Sequence, residues 1–255
     1  MKKKKRLKLI YNLLMAVCLL VFVVCGIYLF HYYRQAGQTE KNIEQLVNIK
    51  EEGKKLPKDE ENNILGQYQK LYERNGDMVG WVDIEGTKIN YPVMKSKEEQ
   101  YYLHRNFDKE YDVNGLPFID VNYDLDDRSS NIMIYGHHMK SGIMFAGLLD
   151  YDTVDFYDSH KLIHFDTLGE ERTYKVIAAF YSQIYRTDER QYFKFYQYAG
   201  ALSANEYETY VKSIQSLSCY DTGTTAVYGE QLLTLVTCSY HVDEGRFVVV
   251  AKRIQ

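Results

Sequence analysis

Eight short apolar runs, separated by turn residues, with few helices among them and no regular strand–helix alternation, predict a mainly β domain closed as a barrel or packed as a sandwich. A single apolar stretch near the front, long enough to cross a bilayer, predicts one transmembrane helix ahead of it. The polar, charged segment between the two predicts a spacer.

In chain order, residues 9–30 are apolar apart from Asn12 and Gly26. At about 1.5 Å per residue they are long enough to span a hydrocarbon core of about 30 Å. Lys2, Lys3, Lys4, Lys5, Arg6 and Lys8 precede this run, so the positive-inside rule keeps residues 1–8 cytoplasmic and sends the rest outside. A cleaved secretory signal fits less well, because the run exceeds the usual core and His31-Tyr32-Tyr33-Arg34 offers no small-residue cleavage site. Residues 31–63 read as an extracellular stalk, with Gly53 and Pro57 ending any helix begun around Ile43, Leu46 and Val47. The remainder, 64–255, suits one domain.

That domain opens on a helical stripe of Ile64, Leu65, Tyr68, Leu71 and Tyr72. Strands are expected at 79–84 and 88–94 around the Glu85-Gly86-Thr87 turn, then at 116–120, 131–135, 162–165, 173–182, 232–237 and 247–254. Two Ser-x-x-Glu patterns, Ser96 to Glu99 and Ser203 to Glu206, read as capping boxes opening helices. After the second, Tyr207, Tyr210, Val211, Ile214 and Leu217 form one apolar face.

The 255-residue chain has a net charge of −4, but the first eight residues hold six of its 31 basic residues, leaving 25 against 35 acidic. A mildly acidic ectodomain argues against nucleic acid as a partner. The 25 tyrosines suit a β-rich domain with half-buried grooves. Of the four cysteines, Cys18 and Cys25 fall in the apolar run, leaving Cys219 and Cys238, too few for a disulfide framework.

Cys238 ends the apolar run Leu233-Thr234-Leu235-Val236-Thr237, and Arg246 opens the last strand beyond the loop 239–245. Residues facing each other at the base of such a hairpin lie about 4.5–5.5 Å apart. A guanidinium beside a sulfur favours the nucleophilic thiolate and offers donors to an oxyanion. The competing reading is a small buried hydrophobe beside a surface charge. His137 weighs against it: Asn131-Ile132-Met133-Ile134-Tyr135-Gly136 is a strand ending in a glycine, which projects a histidine where a loop begins. Imidazole can protonate a leaving amine and later deprotonate an incoming nucleophile. His138 adjoins it, and alternation points the two rings in different directions.

These segments resemble the sortases, and among them class B. The resemblance rests on Tyr135-Gly136-His137-His138-Met139, Thr234-Leu235-Val236-Thr237-Cys238 and Arg246-Phe247-Val248-Val249-Val250-Ala251-Lys252. Gly80-Trp81-Val82, the segment from Gly86 to Val93, Tyr101-Tyr102-Leu103 and Gly115-Leu116-Pro117-Phe118-Ile119-Asp120 extend it to most of the chain beyond Ile64. It implies an eight-stranded sortase-type β-barrel with N-terminal helices and a long helix before the penultimate strand. It also implies a catalytic set of His137, Cys238 and Arg246, no cofactor, and a site on the outer face of a Gram-positive membrane. The cysteine of such enzymes cleaves a C-terminal sorting motif of secreted proteins, and an amine of a peptidoglycan precursor or a pilin lysine resolves the thioester. Leu103, Thr237 and Tyr240 become substrate-binding candidates, with plain packing as their competing role. One departure is Val236, where class B relatives often carry serine.

Three other readings compete. His160 and His164 are four apart, but they fall on or beside a predicted strand and lack the glutamate of a zinc-protease motif. Asp120, Asp124, Asp126 and Asp127 do not have the spacing of a calcium loop and read as solvated. A thiol hydrolase would use the same Cys–His pair with water as acceptor, and a non-catalytic tethered scaffold would use only a Tyr-rich face.

Overall fold

A computed structural model of the chain describes residues 2–120, 125 and 130–255. Eight strands close into one barrel: β1 (Met78–Asp83), β2 (Asn90–Met94), β3 (Phe118–Ile119), β4 (Asn131–Tyr135), β5 (Leu162–Thr167), β6 (Thr173–Gln183), β7 (Leu232–Cys238) and β8 (Gly245–Arg253). Their order around the barrel is β1-β2-β3-β4-β7-β8-β6-β5, with β5 returning to pair with β1. Each coincides with a predicted strand to within two residues at either end, although β3 keeps only two residues of the five expected. There the backbone of the preceding stretch is diverted, since Leu116 N donates to Tyr102 O at 3.0 Å.

The pleat of β7 and β8 explains how one sheet serves two cores. Leu233, Leu235, Phe247, Val249 and Ala251 point into the barrel. Their neighbours Leu232, Val236, Val248 and Val250 point outward and pack beneath α4 (Ala204–Leu217). Strands buried on both faces read as continuous apolar runs, which is how 232–237 reads. Of the two threonines in that run, Thr234 is fully buried and bonds Asn131 Oδ1 and the Tyr210 hydroxyl, each at 2.8 Å. The α4 capping box forms as expected, with the Ser203 hydroxyl accepting from Glu206 N and the Glu206 carboxylate accepting from Ser203 N.

The Ser96 box does not form. Ser96 Oγ accepts from Glu98 N at 3.1 Å, Gln100 adopts a φ of +54°, and a single 3-10 turn, Tyr101–His104, follows. A left-handed residue cannot begin an α-helix, so Leu103 rides on a tight turn rather than on a capped helix.

The N-terminal helix α1 runs without interruption from Lys2 to Gly53. Its first part holds a span long and apolar enough to cross a membrane, with the apolar side chains of Leu7 and of residues 10–30 exposed. Its last part is packed rather than solvated. Ala36, Thr39, Leu46 and Lys50 are buried, and Ile43 and Val47 pack against the barrel core, a stripe at helical spacing. Lys50 Nζ lies 4.7 Å from the Trp81 ring centroid. Burial lowers the Lys50 pKa, and the nearby carboxylates of Asp166 and Asp83 act in the opposite direction. The helix stops where Gly53 meets Gly66, the first residue of α2 (Gly66–Arg74); a Cβ on Gly53 would stand 2.8 Å from Gly66 O. The polar composition of 31–63 thus conceals a helix laid along the barrel.

Candidate active site

The site forms at the end of the barrel where β4 and β7, paired in parallel, both run out. Tyr135 stands opposite Val236, and Gly136 N continues the ladder to Val236 O at 3.0 Å. The Thr237 hydroxyl donates to Gly136 O at 2.8 Å, locking the two strand ends together. A Cβ at Gly136 would stand 2.6 Å from the Phe145 ring, so only glycine lets the chain pass over that ring before His137. Gly136→Ala is expected to cost roughly 1–3 kcal/mol by overpacking. It should reduce turnover more than the loss of folded protein accounts for, as measured by melting curves alongside kcat.

His137 is half-buried, and its Nε2 lies 2.8 Å from Leu103 O. A carbonyl can only accept, so Nε2 carries a proton there and Nδ1 is the nitrogen left to exchange one. The His104 ring stacks on that of His137 at 5.6 Å between centroids. Burial lowers the His137 pKa, the bond to Leu103 O works to raise it, and the neighbouring His104 lowers it further. Starting from an ordinary value of 6.5, a lowered pKa leaves the ring mostly neutral at pH 7 and makes its protonated form a stronger acid. Replacing His104 by Asn removes cover and a like charge together, and both changes push the same way. The His137 titration, followed by NMR, is expected to move upward.

Cys238 is the last residue of β7 and is paired with Arg246 across the hairpin, as the sequence predicts. Gly245 makes the return possible, because a Cβ there would lie 2.2 Å from Ser239 O. The Arg246 guanidinium is held by Gly245 O at 2.9 Å and by Glu244 at 3.2 Å. Cys238 and Cys219 are both free thiols. Burial, followed by the charge of Asp152, pushes the Cys219 thiol up, the wrong direction for a nucleophile.

His137, Cys238 and Arg246 line one cleft of about 560 Å³, together with Leu103 and Thr237. Tyr240 is not among the lining residues; it is exposed and packs its ring on His138. His138 in turn uses Nδ1 on Cys238 O at 3.0 Å and also lies outside the lining. Sequence reasoning missed most of the wall, notably Phe118, Tyr135, Ile184 and Tyr196. Tyr135 was within reach, since it precedes Gly136 in the strand that delivers His137. Asp120 also lines the cleft, rather than lying free in a loop, while Asp124, Asp126 and Asp127 lie outside the described residues. His160 bonds Phe156 O through Nδ1 at 2.9 Å, and His164 Nδ1 lies 3.3 Å from the Thr173 hydroxyl.

The arrangement offers a partly exposed sulfur, a guanidinium across the hairpin and an imidazole with one free nitrogen, in a groove with aromatic walls. Such a constellation suits acyl transfer through a cysteine. A sortase domain family model matches residues 82–254, and the chain belongs to the sortase family, whose members are cysteine transpeptidases. Sortase B of Staphylococcus aureus is 28% identical over 255 residues, covering 99% of both chains. The crystal structure of sortase B from Bacillus anthracis superposes with a TM-score of 0.74 at 31% identity, covering 88% of this chain and 99% of that one. A Staphylococcus aureus sortase B–substrate complex superposes at 0.73 with 27% identity, covering 87% and 99%. Within the family the chain is therefore a class B sortase.

Proposed function

We propose that the chain is a single-pass membrane enzyme, with residues 1–8 cytoplasmic, 9–30 as anchor and the catalytic domain outside the cell on a Gram-positive type of membrane. Residues 31–63 lead from the anchor into the catalytic domain at 64–255. Its substrates are secreted proteins bearing a C-terminal sorting motif, and its acceptor is an amine of a peptidoglycan precursor or of a pilin.

The observation that carries this reading is the shared cleft of His137, Cys238 and Arg246. The Cys238 thiolate adds to the scissile carbonyl, and the negative charge passes to its oxygen, where Arg246 donates hydrogen bonds. The C–N bond breaks as protonated His137 gives its Nδ1 proton to the departing amine, leaving an acyl thioester on Cys238. The acceptor amine then adds to the thioester, His137 takes its proton, and the C–S bond breaks to release the new amide and the thiolate. The aromatic walls and the bonded Thr237 suit an extended peptide laid across the strand ends, with Leu103 as a further lining residue.

The test is to incubate the full chain in detergent micelles with a panel of sorting-motif peptides and candidate amines, reading products by mass. Amide-linked peptide–amine product is expected. Cleavage with only free acid formed, at any amine concentration, would replace transfer by hydrolysis.

A further inference from the structure

We propose that Thr39, on the helix that carries the apolar span, is a positioning residue for His137, so that α1 belongs to the active-site scaffold as well as to the anchor. The inference rests on His137 acting in proton transfer, as set out above.

Thr39 is 4% exposed, on the face of α1 turned to the barrel. Its hydroxyl lies 2.7 Å from Asp112 Oδ2, closer than its alternative acceptor Gln35 O at 3.1 Å, and it accepts from Asn114 Nδ2 at 2.9 Å. Asn114 is 1% exposed and bonds Asp112 Oδ1 through both its backbone N and Nδ2, at 2.9 Å each. Thr39 therefore closes a compact, half-buried polar knot at 112–114, and hydrogen bonds to a carboxylate are stronger than those between neutral groups.

That knot clasps the turn under the histidine. Asp112 N donates to His104 O at 3.1 Å, and Leu116 N donates to Tyr102 O at 3.0 Å. Between them Gly115, at φ +57°, passes so close that a Cβ would stand 2.4 Å from Leu103 O. Leu103 O is the carbonyl that holds His137 Nε2, and His104 is the ring stacked on it. The contacts form one unbroken path from helix hydroxyl to carboxylate turn to carbonyl to imidazole, and every link is a hydrogen bond or a close packing contact. A backbone carbonyl here does the work of the third group that orients a catalytic histidine. Its own position is set by a turn that α1 pins from behind.

The test uses the full chain in detergent or nanodiscs. Thr39→Val is expected to lower kcat roughly three- to tenfold with KM within about twofold of wild type, since small displacements of a catalytic group cost rate rather than binding. The His137 titration, read by NMR and in the pH–rate profile, moves with it, and Thr39→Ser restores both. Asp112→Asn keeps the shape of the knot and is expected to shift the same two readouts in the same direction. A Thr39→Val enzyme that melts earlier but keeps wild-type kcat and pH profile would overturn the brace while leaving the His137 reading intact. Full activity in His137→Ala would overturn that reading, and the brace with it.

Discussion

Changing Cys238 to Ala is expected to remove transpeptidation by a factor on the order of 10⁴ or more, because no other group in the cleft can form the thioester. The fold should survive the change: Cys238 is the partly exposed last residue of β7, and the smaller side chain leaves its backbone pairing with Arg246 untouched. Cys219 cannot substitute. It lies outside the cleft lining, and burial and Asp152 both disfavour its thiolate. Cys219→Ala is therefore expected to retain wild-type turnover, and the pair of variants separates a specific nucleophile from general thiol chemistry.

Removing the guanidinium of Arg246 is the second large effect. Arg246→Ala is expected to lower kcat by about 10²–10³, the range for loss of an oxyanion donor, with a smaller change in KM. Its stability cost should be slight, since the partners of the guanidinium are a carbonyl of its own strand and the exposed carboxylate of Glu244, a rim pair worth little. Arg246→Lys should recover only part of the rate, because an ammonium lacks the planar fork that can hold an oxyanion and a neighbouring carbonyl together. Single-turnover kinetics alongside thermal melts would separate lost chemistry from lost fold.

Much of this was legible in the sequence, for identifiable reasons. The strands that carry the site are continuous apolar runs ended by Gly136 and by Cys238, and barrel strands buried on both faces leave that trace. The hairpin pattern alone predicts Cys238 opposite Arg246, and the two are paired in the structure. What stayed hidden depends on contacts between distant segments. Ile184 and Tyr196 reach the cleft from a stretch with no apolar period, where Tyr196 Oη accepts from Tyr185 N and donates to Tyr185 O. The packed face of α1 was masked because its stripe includes Thr39 and Lys50, polar residues that read as solvated until Asp112 and Trp81 are seen beneath them. Ser96 misled because a capping box is a local signal, and Gln100 ends the helix before it starts. Tyr240 follows the nucleophile by two residues, yet the turn of the loop carries it to His138 instead of the cleft.

The most direct measurement is intact-mass and peptide-mapping spectrometry of the full chain, trapped during turnover of a sorting-motif peptide. An acyl adduct on Cys238 that disappears when amine is added, and that never forms in His137→Ala or Arg246→Ala at the wild-type rate, is the predicted result. Peptide cleavage without an adduct on Cys238, or an adduct that forms equally fast without the imidazole and the guanidinium, would contradict the chemistry proposed for this cleft.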